Sequence, residues 1–328
     1  MTPAFQLLAD NEDVTATIAD RLISLEVTDE DGIKADRLTL ELDLRDRVIA
    51  IPSAETRLDL SLGFREAGLT KIGAYVLEER NGSGPPDVMT LVARAADMSS
   101  AIRAPKTRGW TAITLGGIVR TIAAEAGLTP VVGEDIGDTV YGFVAQSAES
   151  DLHLLTRLAR VLDATAKPAD GRLIVTRRGT GRAADGSQIE PVAIPRARMQ
   201  SYGWQFGKRG TYASVTAKWA DLESAATKSV EAGSGEPGRR LRETFGSELE
   251  AQRAAQAELD RAARGEVSVD LELSGFWPQL FASGRIALPD LLPELSESPF
   301  HVTSVSHRLQ GSLTTRVSAE LAAPREDS

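Results

Sequence analysis

Three histidines, His153, His301 and His307, are the whole imidazole supply of the chain, and cysteine is absent. Without a thiol there is no disulfide scaffold, cysteine nucleophile, thiolate zinc site or iron–sulfur cluster. Glu149, Asp151 and His153 lie close enough along the chain to suggest a metal set. On a helix, however, residues two apart point about 200° from one another, so Asp151 and His153 do not converge on one ion. They read instead as solvated charges at a helix start, where a carboxylate suits the dipole. His301 and His307 are separated by about 20 Å if they share a strand, at ~3.3 Å per residue, and so cannot bind one metal. Each reads as a surface or interface side chain. Carboxylates are abundant, so a pair for glycoside hydrolysis stays open without any motif to support it. Glu41, Asp43, Asp270 and Glu272 read as a solvated strand face.

The familiar catalytic loops are missing. Gly179-Thr180-Gly181-Arg182 lacks the Gly-Lys-Ser/Thr ending that cradles phosphates, and neither Gly-x-Ser-x-Gly nor His-Glu-x-x-His occurs. Trp110, Trp204, Trp219 and Trp277 are scattered, which predicts four separate packing anchors and no stacking platform. Arg239-Arg240-Leu241-Arg242 is the one dense basic patch, read as a subunit contact or a solvated run. The residues themselves predict a soluble, β-rich protein without catalysis.

The elements that would carry these residues change period along the chain. Leu38, Leu40, Leu42 and Leu44 alternate with Thr39, Glu41 and Asp43, which predicts a strand with leucine on the core face. Leu58, Leu60 and Leu62 repeat the pattern, and residues 22–27 offer a weaker copy. Residues 71–79 and 87–94 form a predicted hairpin around Asn81-Gly82-Ser83-Gly84-Pro85-Pro86. After Thr114, apolar residues at 115, 118, 119, 122 and 126 mark one helical face, and Gly127 stands where a C′ glycine ends a helix. A second helix is predicted from Ser150 to Leu162, with Leu152, Leu155, Leu158, Ala159 and Leu162 inward. A strand over 171–176 follows. Thr211 to Trp219 alternates again, whereas Lys228 to Gly238 is polar and glycine-rich and predicts a mobile loop. Ser247 and Glu250 suggest a capping box opening an alanine-rich helix that Gly265 ends. Residues 267–273 and 313–321 are predicted strands.

These patterns give an α+β, mainly β class: two antiparallel β-barrel domains flanking a small α/β insert, plus one long helix near the C-terminal barrel. The expected boundaries are 1–98 for the first barrel, 99–195 for the insert and 196–328 for the second barrel, with a flexible loop at 226–240 and the helix at 247–264. Length agrees, since 328 residues suit about two domains or three. Net charge −10 argues against a surface that coats nucleic acid or an anionic membrane. No apolar run approaches the ~18 residues of a membrane span, and the N-terminus lacks a signal-peptide pattern, so the expected product is soluble and made in the cytoplasm.

One stretch is distinctive. Gln146-Ser147-Ala148-Glu149-Ser150-Asp151-Leu152-His153-Leu154-Leu155-Thr156-Arg157-Leu158-Ala159 resembles the Glu-Ser-Asp-x-x-(Phe/Leu)-Leu-x-Arg-Leu-Ala signature of phage tail hub proteins. The whole chain resembles the phage late control gene D protein family. Thr2 to Leu7, Asp20 to Leu25, Asp29 to Leu44, Gly84-Pro85-Pro86-Asp87, Trp110-x-x-x-Thr114-Leu115-Gly116 and Leu128-Thr129-Pro130 all fit it in order. Glu149, Ser150, Asp151, Leu155, Arg157 and Leu158 are then family motif residues with a structural role.

The resemblance implies a non-enzymatic baseplate hub of a contractile tail, similar to the N-terminal hub region of VgrG. It implies a homotrimer without cofactors or metals that connects a hexameric tail tube to a trimeric spike, near other baseplate proteins and the tape-measure end. It implies a virion component assembled in the host cytoplasm, with no stable nucleic-acid binding and no membrane insertion. Because the chain stops soon after its last strand, a separate spike protein is expected. Two other readings stay open: a cell-wall hydrolase of the tail tip using a carboxylate pair, and the hub of a tail-like bacteriocin or injection device.

Overall fold

Alternation of leucine with polar residues builds the first strands: β1 (Pro3–Ala9), β2 (Leu22–Glu30), β3 (Arg37–Asp43), β4 (Arg57–Phe64), β5 (Gly68–Ser83) and β6 (Val88–Ala95). Leu38, Leu40, Leu42, Leu58, Leu60 and Leu62 are all buried in one core. Hairpin β5–β6 forms where its turn residues predict it. Strand β5 runs longer than expected because its first half pairs with β4 and its second half with β6. The computed structural model describes residues 1–32, 36–46, 49–96, 100–169, 171–183, 187–207, 212–221 and 223–322.

The period then shifts to helical. Strand β7 (Pro105–Thr114) leads into α1 (Leu115–Ala126), followed by β8 (Thr129–Val132), β9 (Val140–Ser150), α2 (Asp151–Val161), β10 (Ala164–Ala169) and β11 (Arg172–Arg177). The Thr114 hydroxyl accepts from the Gly117 amide at 3.1 Å, filling one of the orphan donors of the first turn. Gly127 closes α1 at φ 70°, the left-handed position that favours glycine. Ile118, Val119 and Ile122 of α1 meet Leu154, Leu155 and Leu158 of α2 in a core drawn from residues 102–175.

The last third contains β12 (Met199–Phe206), β13 (Ser214–Asp221), β14 (Ala226–Gly233), β15 (Gly238–Phe245), α3 (Glu248–Arg264), β16 (Val267–Ser274), β17 (Phe300–Gln310) and β18 (Ser312–Leu321). Here the expected flexible loop at 226–240 is corrected: β14 and β15 occupy most of it, flanking β13 on either side. Val230 and Ala232 are few, but they turn inward onto Ala251 and Ala255 of α3, and the ladder to β13 supplies the rest. Ser247 caps α3 by accepting from the Glu250 amide at 3.3 Å. At its far end Arg264, 2% exposed, grips Asp163 with two bonds of 2.5 Å and so ties α3 to the end of α2. Thr211, expected to open β13, lies outside the described residues.

The largest sheet has 13 strands, three of them only two or three residues long. Its path is β12-β16-β18-β17-β2-β3-β6-β5-β4-β1, with the short strand Glu12–Asp13 beside β1. The antiparallel pair β17–β2 therefore joins the last third of the chain to the first. Leu309 and Leu313 cross with it, packing into the core of the N-terminal strands. Among the described residues no helix is long and apolar enough to cross a membrane.

Candidate functional site

The Glu149–Leu158 motif sits where β9 turns into α2. Ser150 holds extended backbone and its hydroxyl accepts from the His153 amide at 3.2 Å, which makes it the helix cap. Asp151 departs from expectation: it is wholly buried, not solvated. Lys106 and Arg108 of β7 reach its two oxygens at 2.5 and 2.7 Å, and Gln146 donates to it at 2.8 Å. Both cations also bind Glu125 of α1, at 2.7 and 2.6 Å. The Arg108 guanidinium lies 4.3 Å from the Trp110 ring centroid, and Gln146 accepts from Arg108 and Trp110. Burial works against the Lys106 ammonium, yet its bonds to Asp151 and Glu125 hold its pKa above the ordinary lysine value. Hydrogen bonds from Lys106 and Arg108 pull Glu125 below its own.

The remaining motif residues close the corner. Glu149 receives Arg157 at 2.8 and 3.2 Å, and Arg157 also donates to the Ala145 carbonyl at 2.9 Å. Leu155 and Leu158 are buried in the core beneath, and His153 faces solvent. The Glu149 and Asp151 carboxylates and the Ser150 hydroxyl are thus all engaged by this chain. The corner is a lock between β7, β9, α1 and α2. Lys106, Arg108, Glu125 and Gln146 were missed from sequence. The available signal was the alternation Lys106-x-Arg108-x-Trp110, which puts two cations and an indole on one strand face.

A second ionic cluster surrounds a cavity of about 640 Å³ bordered by β5, β10, β11, β17 and the segment 278–283. Lys167 of β10 binds Asp36 at 2.7 Å, Asp29 and the Glu30 carbonyl at 3.0 Å. Asp29 also accepts from the Ala282 amide at 2.8 Å. Asp31 meets His301 at 3.0 Å, Arg178 at 3.4 Å and the Ser283 hydroxyl at 2.7 Å. Both histidines, expected as surface or interface side chains, lie in the interior instead. His301 is 2% exposed, and His307 is buried beside Thr315 and the edge of Phe276. Burial pushes His307 down to about 4. Burial, with the neighbouring Asp29 charge, pushes Asp36 up to about 6. Burial opposes the Asp31 carboxylate too, but His301 and Arg178 hold it well below the usual carboxylate range. Among the described residues no three His, Asp or Glu side chains gather as a metal site.

The long sheet offers a broad face. Eight consecutive strands, β12-β16-β18-β17-β2-β3-β6-β5, are all antiparallel neighbours. Directly opposed residues share a face, so register alone maps it. Asp270 and Glu272 stand opposite Ser318 and Arg316. Ser306 and Arg308 of β17 face Thr28 and Glu26 of β2. Ser24 and Glu26 then face Glu41 and Thr39, and these face Thr90 and Val92. Glu79 and Asn81 of β5 complete the row. Across the eight strands one face is mostly serine, threonine and charge, while the other is mostly buried leucine and valine, except at the outer strand β12 and the end of β5. Carboxylates outnumber arginines on it: Glu26, Glu30, Glu41, Asp43, Glu79, Asp270, Glu272 and Glu320 against Arg37, Arg94, Arg308 and Arg316.

Trp110 and Trp277 are buried as expected, and Trp219 is partly so, but Trp204 is 48% exposed and meets Phe206 edge-on on the same strand.

Residues 70–313 match the family model of the phage tail baseplate hub. A probable baseplate hub protein of Escherichia phage 186 is 28% identical over 363 aligned positions, covering 98% of this chain and 93% of that protein. The tail protein from Neisseria meningitidis MC58 has a TM-score of 0.72 at 10% identity, covering 98% of this chain and 97% of that one. A chain of the Francisella PdpA–VgrG complex has a TM-score of 0.57 at 9% identity, covering 100% of this chain and 60% of that one. The two structural likenesses establish the fold, and the family match establishes more: this chain belongs to the phage tail baseplate hub family and is a hub component of the tail baseplate.

Proposed function

We propose that three copies of the chain close into a ring that connects a hexameric tail tube to a trimeric spike, and that it performs no bond-breaking. The observation that carries this reading is the eight-stranded, one-sided sheet. A face of that breadth, mostly polar and backed by core, suits the wall of a water-filled bore. In this reading 1–98 and 196–328 form the two β-barrel units, each giving four strands to the wall, so three chains present six similar units to the tube. The insert 99–195 braces the ring from outside. The independence of its core and the saturated Glu149–Arg157 corner support a bracing role. Carboxylates in excess on the bore face repel DNA and acidic proteins during ejection. Spike, tube, other baseplate proteins and the tape-measure end are its partners, and assembly takes place in the host cytoplasm.

Light scattering on the purified chain tests the ring, with three times 35.1 kDa expected alone or once spike protein is added. A persistent monomer in both conditions refutes it. Zymography on peptidoglycan should show no clearing; a cleared zone from pure protein favours a hydrolase instead.

A further inference from the structure

We infer that β12 of one copy adds to the free edge of β5 in the next, with Tyr202, Trp204 and Phe206 as the anchors of the joint; this rests on the ring reading. Strand β12 ends the sheet, and among the described residues it pairs only with β16. Its aromatic residues oppose Leu271, Val269 and Val267, which are buried, so all three point to the core side of the sheet. Nevertheless Tyr202 is 40% exposed, Trp204 48% and Phe206 47%. A core-facing aromatic row left uncovered on an edge strand is an interface feature, because monomers rarely leave both a ladder and its apolar face open.

The occupant follows from strand direction. Eight antiparallel neighbours in succession make the first and last strands run in opposite senses, so β12 of one copy meets β5 of another as a further antiparallel neighbour. Strand β5 is ready for it: beyond Leu77 it leaves β4 and, among the described residues, pairs as a strand only with β6, and Glu79 to Ser83 are exposed. The chain already makes such a joint internally. Pair β17–β2 unites C-terminal with N-terminal strands, and Leu309 and Leu313 of the C-terminal set fill the N-terminal core beside it. A second copy repeats that arrangement with aromatics in place of leucines. Arg80, opposite Leu91 on the core side of β5, supplies a cation for those rings.

The absence of cysteine makes the joint directly testable. Opposed antiparallel residues stand about 4.5–5.5 Å apart at Cα, within disulfide reach. Gln205 and Asn81 share the polar-face register, so a chain carrying Gln205→Cys and Asn81→Cys, or Gly203→Cys and Asn81→Cys, should give covalent dimers and trimers on oxidation. The single-cysteine chains should not give trimers. The combined Tyr202→Ser, Trp204→Ser, Phe206→Ser chain should keep its melting temperature and scatter as a monomer. Arg80→Glu should weaken association about tenfold. A wild-type trimer together with a folded, still trimeric triple variant overturns the joint and leaves the ring standing. A monomeric wild type overturns both. Crosslinks to added spike or tube protein, with none between copies, assign the edge to that partner and refute the inference.

Discussion

The two ionic clusters of the insert, one within it and one at its border, are built differently. At the corner, Lys106 and Arg108 face Asp151 and Glu125, two cations against two carboxylates. At the cavity, among the described residues, Asp29 and Asp36 share the Lys167 ammonium and Asp31 meets Arg178 and His301. A balanced cluster satisfies itself at every pH near neutrality. In the cavity cluster, burial and the neighbouring Asp29 charge push Asp36 up to about 6, close to neutrality. The first holds elements of one core together, whereas the second joins the insert to both ends of the chain. Strength and adjustability are therefore placed in different parts of the molecule.

The largest effect should come from beneath the corner. Leu155→Asp places an unpaired charge in a core position with no exposure and should cost about 5 kcal/mol, removing soluble protein. Unchanged size and melting temperature would show that α2 does not depend on that face. Asp151→Ala strands Lys106 and Arg108 beside Gln146 and should lower stability by about 3–5 kcal/mol, nearly equally at pH 6 and pH 8. A strongly pH-dependent loss in urea unfolding would erase the contrast with the cavity.

Lys167→Met removes the cation that separates Asp29 from Asp36. It should cost about 2–4 kcal/mol at pH 8 and clearly less at pH 5, where Asp36 takes a proton. Asp36→Asn has the smallest effect and the opposite sign. Because the folded-state value is raised, the stability tied to protonated Asp36 is present below about 4 and lost as pH rises through about 6. The asparagine should therefore stabilise by about 1 kcal/mol at pH 8 and give no gain at pH 4. His307, depressed to about 4, contributes the opposite slope, its stability being lost as pH falls from 6.5 towards 4. Repeating the comparison in a His307→Gln background isolates the Asp36 term, and a gain that persists at pH 4 there would contradict its assignment.

Local rules served where the answer lay within one element. Thr114 and Gly127 bracket α1 in sequence and in space, since a cap and a left-handed glycine act on neighbouring backbone. The alternating leucines of β3 and β4 were equally legible. Residues 226–240 were not, because their glycines and charges look like a loop until β13 and α3 offer a ladder and an apolar surface. Asp151 misled for a related reason. Its spacing to His153 described only its own helix, while its partners sit on β7, 43 and 45 residues away.

Periodicity, caps and turn residues are short-range properties, so the chain alone dictated the leucine strands, the capped helices and their inward faces. Which carboxylates are buried, which histidines leave the surface, and how the first and last thirds merge into one sheet depend on contacts between distant segments. Those contacts exist only once the chain has folded, because burial and charge pairing are set by what closes over a residue and not by its neighbours in line.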